Sequence, residues 1–555
     1  MPNAAVMLPS ASVRKPRRWS VPALRFVVHL EAFLRDPVLY SQCVWWWATG
    51  KRLRSRLKLS PLLGHTKHAY QLWLEQSETH FSEQRDGTEI KLVAVVEDGQ
   101  GIDDTLQSVD EAGFEAFVVS RAPEAALELP FEPSDNIWLL PLASGDHLHA
   151  HAASHYTHAA TSADLSTHVI YADDDLIDDR SKRHTPHFKP DWNSELSRHF
   201  DFLTGAAMVR ATSIDTSTLK GEGWASRLIQ RGVVRTELAG GEVLHISEVL
   251  HHRKRRHAPV LPTSVQIEDR QLPSVSVIVP TRNRRDLLET CLHGLRSTRY
   301  PERIDIIVID NGSDDPSTRE YLDQLDPEFV RVVHDDGPFN FSALNNRAVA
   351  KARGKLLCFL NNDIEITDPD WLRIMASQAA RQEIGAVGAQ LRYPDGRIQH
   401  AGVVIGIGGA AAHAHRLLHP GDEGYFKRHS LPQFVSAVTA ACMVVSREKF
   451  EAVSGFDEEN FAVSFNDVDL CLKLREQGWH NLYEPRACLI HHESLSRGFD
   501  RDAEGAARQA EETAKLQERW GTGLAIQGEP RDGPAPDPFH HRALSLLSEQ
   551  FVLAL

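Results

Sequence analysis

From residue 90 onward, short continuous apolar runs alternate with apolar stripes at helical spacing, which predicts an α/β chain. The clearest unit lies between Pro273 and Asp314. Val275, Val277, Ile278 and Val279 form a β-branched run stopped by Pro280, and the run Ile304 to Ile309 is stopped by Asp310-Asn311-Gly312. Continuous apolar strands of this kind are buried on both faces of a parallel sheet. Between them Leu287, Leu288, Cys291, Leu292 and Leu295 recur at helical spacing, and a right-handed crossover returns the second strand beside the first. Both strand ends then open on the carboxyl edge where ligands of open α/β sheets sit, so Thr281, Asn283, Asp310 and Ser313 share a rim.

The same rhythm continues downstream. A strand is expected at Phe329 to Val333, a helix from Phe339 to Ala352, and an apolar strand at Leu356 to Leu360 that ends on Asn361-Asn362-Asp363. A helix starts within Ser464 to Asp469, and a strand from Ala487 to Ile490 ends on His491-His492-Glu493. Upstream, strands are expected at Ile90 to Val96, Phe114 to Val119, Ile137 to Leu142 and Thr167 to Tyr171. The basic, proline-punctuated stretch from Leu250 to Pro262 reads as a linker. The expected organisation is a helical segment over 1–85, an α/β domain over 86–250, a linker over 251–272, a second α/β domain over 273–525 and a tail over 526–555.

Composition narrows the partners. The net charge of −15 argues against nucleic-acid binding. Six scattered cysteines without a Cys-x-x-Cys pair fit a reducing compartment, and the expected location is cytoplasmic. No apolar run approaches the roughly 20 residues of a spanning helix, and the N-terminus lacks a signal peptide's apolar core. Against the acidic average, the first 65 residues are rich in Lys and Arg and carry Trp19, Phe26, Phe33 and Trp45-Trp46-Trp47. That mixture suits either peripheral contact with an anionic membrane face or a helical prefix packed on the next domain.

Candidate chemistry concentrates at the second domain's strand ends. Asp363, at the end of a buried strand and opposite Asp310, is placed to hold a divalent cation that stabilises a departing diphosphate, with His491 as a further ligand. Asp467, in a helix's first turn, is either a dipole-favoured surface carboxylate or a general base for an attacking hydroxyl. In the first domain Asp173-Asp174-Asp175 suggests a divalent-metal site or a solvated acidic turn. His147, His151 and His155 share one face if that segment is helical, but no Glu follows them as in a zinc protease, and they read as surface residues.

Six ordered stretches, VSVIVPTRN, VIDNGSDD, FNFSALNN, LLCFLNNDIEI, GFDEENFAVSFNDVDLCLKLREQGW and LIHHESLSRG, together resemble the family 2 glycosyltransferases with the GT-A fold, particularly rhamnosyltransferase-like enzymes of bacterial cell-surface polysaccharide and O-antigen. The resemblance implies a Rossmann-like, mostly parallel α/β catalytic domain that moves a sugar, with inversion, from a nucleotide-diphosphate donor to a hydroxyl of a glycan or lipid-linked glycan. It implies nucleotide-sugar contacts from Pro280, Thr281, Asn283, Asp310, Ser313, Asn346, Asn361 and Asn362. It further implies a divalent metal, Mn2+ or Mg2+, on Asp363 and His491, a base at Asp467, and acceptor-side roles for Asn466 and Asp469. Asn361 stands where the family's metal motif has its first Asp, and Asn466 stands where a Glu precedes the base. VIYADDDLIDD, FKPDWNSEL and EVLHHRKRRH resemble the same fold more faintly, so the first domain is expected to be a degenerate copy with Ala143-Ser144-Gly145-Asp146 at the metal-motif position. A catalytically inactive glycan-binding or scaffold protein is the alternative, whereas no Gly-x-Gly-x-x-Gly follows the first strand to support an oxidoreductase.

Overall fold

A computed structural model describes residues 20–77, 90–120, 131–213, 221–262, 272–492, 503–523 and 537–555. The chain divides into two compact units, the first ending at Ser82 and the second running from Glu83 to Ala554. The first contains four helices, Val21–Arg35, Pro37–Ala48, Arg52–Gly64 and Ala69–Ser77. Leu24 and Val28 of the first helix bury against Leu72 of the fourth. The second helix begins where Asp36 accepts from the Leu39 amide at 2.9 Å and Pro37 takes the first helical position, so neither orphan donor needs a further partner.

The second unit holds two sheets. In one the order is Glu115–Val119, Lys91–Glu97, Ile137–Leu142, Ala207–Arg210, Val169–Ile177, Leu244–Arg253 and His147–Leu148. In the other it is Val330–His334, Asp305–Asp310, Val275–Thr281, Leu356–Leu360, Cys442–Ser446, Ile384–Arg392, His480–His491 and Ile364–Glu365. Along these paths, apart from Val330–His334, the second sheet repeats the first strand for strand. The opening three strands are parallel, the fourth is antiparallel to its neighbours, the next pair is parallel and the final short strand is antiparallel. The first α/β domain is therefore a second copy of the same fold, and the two sheets can be compared position by position.

The parallel strands of the second sheet fold as their pattern predicts. Val277 and Val279 face one core with Leu288, Leu292 and Leu295 of helix Arg285–Ser297, while Ile278 and Ile307 face another with Leu344 and Ala348 of helix Phe341–Val349. Burying such a side chain contributes roughly 1.5–3 kcal/mol, so a strand buried on both faces is fixed more firmly than its end loops. The halves meet through Asn193, whose amide donates to the Phe434 carbonyl at 2.9 Å and accepts from the Phe434 amide at 3.1 Å. The tail is pinned across both: Asp537 accepts from the Ile405 amide at 2.8 Å, and the Asp191 amide donates to Pro538 at 2.8 Å.

Three expectations about the first half change. The stretch expected as a linker from residue 251 begins inside strand Leu244–Arg253, where His251, His252 and Arg253 are buried. They are buried because the neighbouring strand is acidic. Asp173, Asp174 and Asp175 form neither a solvated turn nor a strand-end cluster, but lie within strand Val169–Ile177, fully buried. Asp174 meets Lys189 at 2.8 Å and accepts from Arg256 Nε at 2.7 Å, while Asp175 accepts from Arg183 and lies 2.8 Å from His252. Burial pushes the Asp174 pKa up, but Lys189, Arg256 and Arg253 together outweigh it and hold it well below the usual carboxylate range. His147, His151 and His155 do not share a helix face, because His147 is in a strand and the helix starts only at Ala152.

Candidate active site

A cleft of about 910 Å³ opens at the carboxyl edge of the second sheet. Of the residues singled out in the sequence, Pro280, Thr281, Asn283, Asn361, Asn362, Asp363, Asn466, Asp467 and His491 line it. Asp310, Ser313 and Asn346 do not line it but brace neighbouring loops. Asp310 accepts from the amide and hydroxyl of Ser313, and the Ser313 hydroxyl accepts from the Asn283 amide at 2.8 Å. Asn283, with a positive φ of 55°, accepts from the Asp314 and Asp315 amides at 3.0 Å each, which ties the loops after the first two strands together. Asn346 exchanges hydrogen bonds with the backbone of Phe456, at 2.8 and 3.1 Å.

Across the cleft floor, Asn362 donates to the Thr281 hydroxyl at 2.9 Å, and the Asp363 carboxylate lies 3.1 Å from His491 Nε2. Strand pairing makes that contact: Ile364 is in register with His491. His491 Nδ1 is 2.8 Å from the side-chain oxygen of Gln399. That oxygen only accepts, so Nδ1 carries a ring proton, and Nε2 faces the carboxylate either as the donor of an imidazolium or as the lone pair of a neutral ring. With the ring neutral, Nε2 and the Asp363 carboxylate are two ligands that one divalent cation can share, with Gln399 orienting the histidine from behind. The donor set therefore fits a divalent metal.

Asp467 sits on the opposite wall in the first turn of helix Asn466–Glu476, after Phe465 turns the chain at a positive φ of 59°. One of its oxygens accepts from the Ala440 amide at 3.0 Å. Burial raises its pKa above the ordinary carboxylate value, although the bonds from the Ala440 amide and the Thr439 hydroxyl oppose the rise. Helix Ala503–Trp520 holds the preceding loop: Glu512, itself buried, accepts from the amides of Val463 at 3.1 Å and Ser464 at 2.7 Å. The same helix claims Asp469, which accepts from Arg519 at 2.8 Å and from the Trp520 ring at 3.0 Å. Asp469 is fully buried, does not line the cleft and faces Arg519, the Trp520 ring and Lys473, so it is closed to an acceptor, contrary to the role expected for it. Sequence reasoning missed Glu512, Arg508, His413 and Gln399. Arg508, His413 and Gln399 line the cleft from segments whose approach depends on tertiary packing.

Residues 276–453 match the family model described as Glycosyl transferase family 2. The chain carries a family 2 glycosyltransferase domain. Its α/β core is of the GT-A type, and the cleft lies on the glycosyltransferase sheet. The chain is 37% identical over 432 residues to the uncharacterized protein y4gI of Sinorhizobium fredii, an alignment covering 70% of this chain and 46% of that one. It is 34% identical over 417 residues to the O-antigen biosynthesis protein RfbC of Myxococcus xanthus, covering 68% and 31% respectively. The chain thus spans less than half the length of these relatives. Among solved structures, the mannosyltransferase PcManGT of Pyrobaculum calidifontis, in complex with GDP-Man and Mn2+, matches with a TM-score of 0.35 at 20% identity, over 46% of this chain and 68% of that one.

A second Asp–His cluster lies in the first half of the unit. Asp173 meets His245 Nε2 at 3.0 Å and His541 Nε2 at 2.8 Å, close enough together to suggest metal ligands. Proton placement opposes that use. His541 Nδ1 accepts from the Ala543 amide at 3.0 Å, which puts the ring proton on Nε2 and against the carboxylate. His245 faces carboxylates from both nitrogens, Asp173 on one side and Asp191 at 3.0 Å on the other. The cluster is already complete with protons and fastens the tail to the first half.

Proposed function

We propose that the second half of the chain transfers a sugar, with inversion, from a nucleotide-diphosphate donor to a hydroxyl of a cell-surface glycan of the O-antigen type. The observation that carries this reading is one cleft presenting Asp467 on one wall and the Asp363–His491 pair on another. Asp467 accepts the proton of the acceptor hydroxyl as its oxygen attacks the anomeric carbon, and its raised pKa improves it as a base near neutrality. The Ala440 amide and the Glu512-held loop fix its direction. Asp363 and His491 would hold the divalent cation, which when bound neutralises charge on the departing diphosphate. Asn362 and Thr281, hydrogen-bonded to each other, form the floor beneath the donor. Inversion requires one base and no covalent intermediate, which fits the single carboxylate among the described residues that line that wall. The acceptor class draws support from the similarity to an O-antigen biosynthesis protein.

The test is transfer from nucleotide-diphosphate sugars by the full chain and by Asp467→Asn. Turnover is expected to fall by roughly 10²–10⁴-fold with nucleotide binding retained. Unchanged turnover would exclude Asp467 as the base, and absence of both turnover and nucleotide binding in the parent chain would favour an inactive glycan-binding protein.

A further inference from the structure

The helical unit at the start of the chain leaves an apolar surface uncovered. Helix Val21–Arg35 is apolar on both faces: Leu24, Val28 and Ala32 pack inward, while Phe26, Leu30 and Leu34, offset by half a turn, are exposed. The next helix continues this exposure, with Val38 at 73%, Trp45 at 57% and Trp47 at 60%. Single exposed apolar residues are ordinary, but several large ones on two consecutive helices mark a contact surface. Cations border it. Lys51 and Arg54 lie over the Trp45 and Trp46 rings at 5.7 and 4.4 Å, and Arg52, Arg56 and Lys58 on the third helix point to solvent.

Charge selects the occupant. Residues 1–82 carry twelve Lys and Arg against four Asp and Glu, whereas the whole chain has a net charge of −15. We propose that this helical unit docks peripherally on an anionic lipid surface, with the tryptophans at headgroup depth and the basic helix against the lipid phosphates. A second copy of the same surface would bring like charges together. The acidic remainder of the chain is repelled by the same bilayer, so charge alone sets which end faces it. Among the described residues no helix is long and apolar enough to cross a membrane, consistent with lying on the surface. Docking would hold the sugar-transfer cleft near lipid-linked acceptors, although the inference rests on the helical unit and stands independently of that chemistry.

The test is co-sedimentation of the full chain with vesicles of phosphatidylcholine alone and with one-third phosphatidylglycerol. Binding to the anionic vesicles is expected to be at least about tenfold tighter and to weaken steeply between 0.05 and 0.5 M salt, following roughly the screening of surface charge. Trp45→Ser/Trp47→Ser and Arg52→Glu/Arg56→Glu change exposed side chains and should each reduce binding by about tenfold or more at unchanged helix content and nucleotide binding. Equal sedimentation with both vesicle types, or anionic binding that survives both double variants, would overturn the proposal. So would concentration-dependent dimerisation abolished by Trp45→Ser/Trp47→Ser in the absence of lipid binding, because the surface would then be an interface between copies.

Discussion

The two sheets place equivalent residues at equivalent strand positions and differ in the charged groups that surround them. In the second half Asp363 follows the third strand, and His491 closes the long strand opposite. In the first half Asp146 and His252 hold those positions, since His147 pairs with His252 as Ile364 pairs with His491. There, however, Asp146 lies beside Arg253, whose Nε is 3.8 Å from its carboxylate and whose Nη1 is 3.9 Å from Asp174, while His252 has turned to Asp175. Room for that guanidinium depends on Gly205: at a φ of 83°, a Cβ there would lie 2.6 Å from an Arg253 nitrogen. The first half therefore carries the Arg253 guanidinium beside Asp146 where the second has His491 Nε2 beside Asp363. Helix Trp224–Leu238 also has no acid in its first turn, where the second half's helix has Asp467, the base we propose. One fold thus carries different side chains around equivalent strand ends.

Breaking the built-in cation should have the largest effect. Arg253→Met leaves Asp146 and Asp174 buried with less compensation, a change that costs roughly 3–5 kcal/mol. Thermal and urea unfolding should show the loss, with turnover per folded molecule unchanged. A variant as stable as the parent would mean that Arg253 does not replace a cation. Glu512→Ala sharpens the other side of the comparison. Freeing the Val463 and Ser464 amides should lower kcat about tenfold while leaving the nucleotide Kd within a factor of two, since a loosened base costs alignment rather than donor binding. A loss confined to KM would contradict that assignment.

The smallest effect is in pH dependence, and its sign differs between the halves. Burial raises the Asp467 pKa, so as a base it is active above that value, and kcat/KM should fall with unit slope as pH drops through an acid limb above the ordinary carboxylate value of about 4. A flat profile down to pH 4 would contradict it. Burial raises Asp146 to about 6, with Arg253 opposing. A folded-state pKa above the unfolded value stabilises most below the unfolded pKa and loses that contribution as pH rises through about 6. Asp146 should therefore register in unfolding curves and be silent in turnover.

The second half was largely legible because its strands are continuous apolar runs ended by turn residues, and periodicity reports such runs directly. Nine of the thirteen singled-out residues line the cleft for the same reason: they stand at strand ends or in a helix's first turn. Asp469 was misread because i and i+2 on a helix face different directions, and only its contact with Arg519 reveals which way it points. The acidic strand of the first half resisted reading because an Asp-Asp-Asp run resembles a turn unless its cations are known to arrive from Lys189, Arg253 and Arg256. Those partners lie 15 to 82 residues away, beyond any local pattern.

Of the two equivalent strand ends, the proposal gives a cation to the Asp363–His491 end, and metal-dependent nucleotide binding tests it most directly. Calorimetric titration of UDP, dTDP and GDP, each with and without Mn2+, would compare the parent chain with Asp363→Ala and Asp146→Ala. The account predicts metal-dependent binding of one nucleotide that is lost in Asp363→Ala and unchanged in Asp146→Ala. Metal-dependent binding that survives Asp363→Ala, or disappears in a folded Asp146→Ala chain, would contradict it.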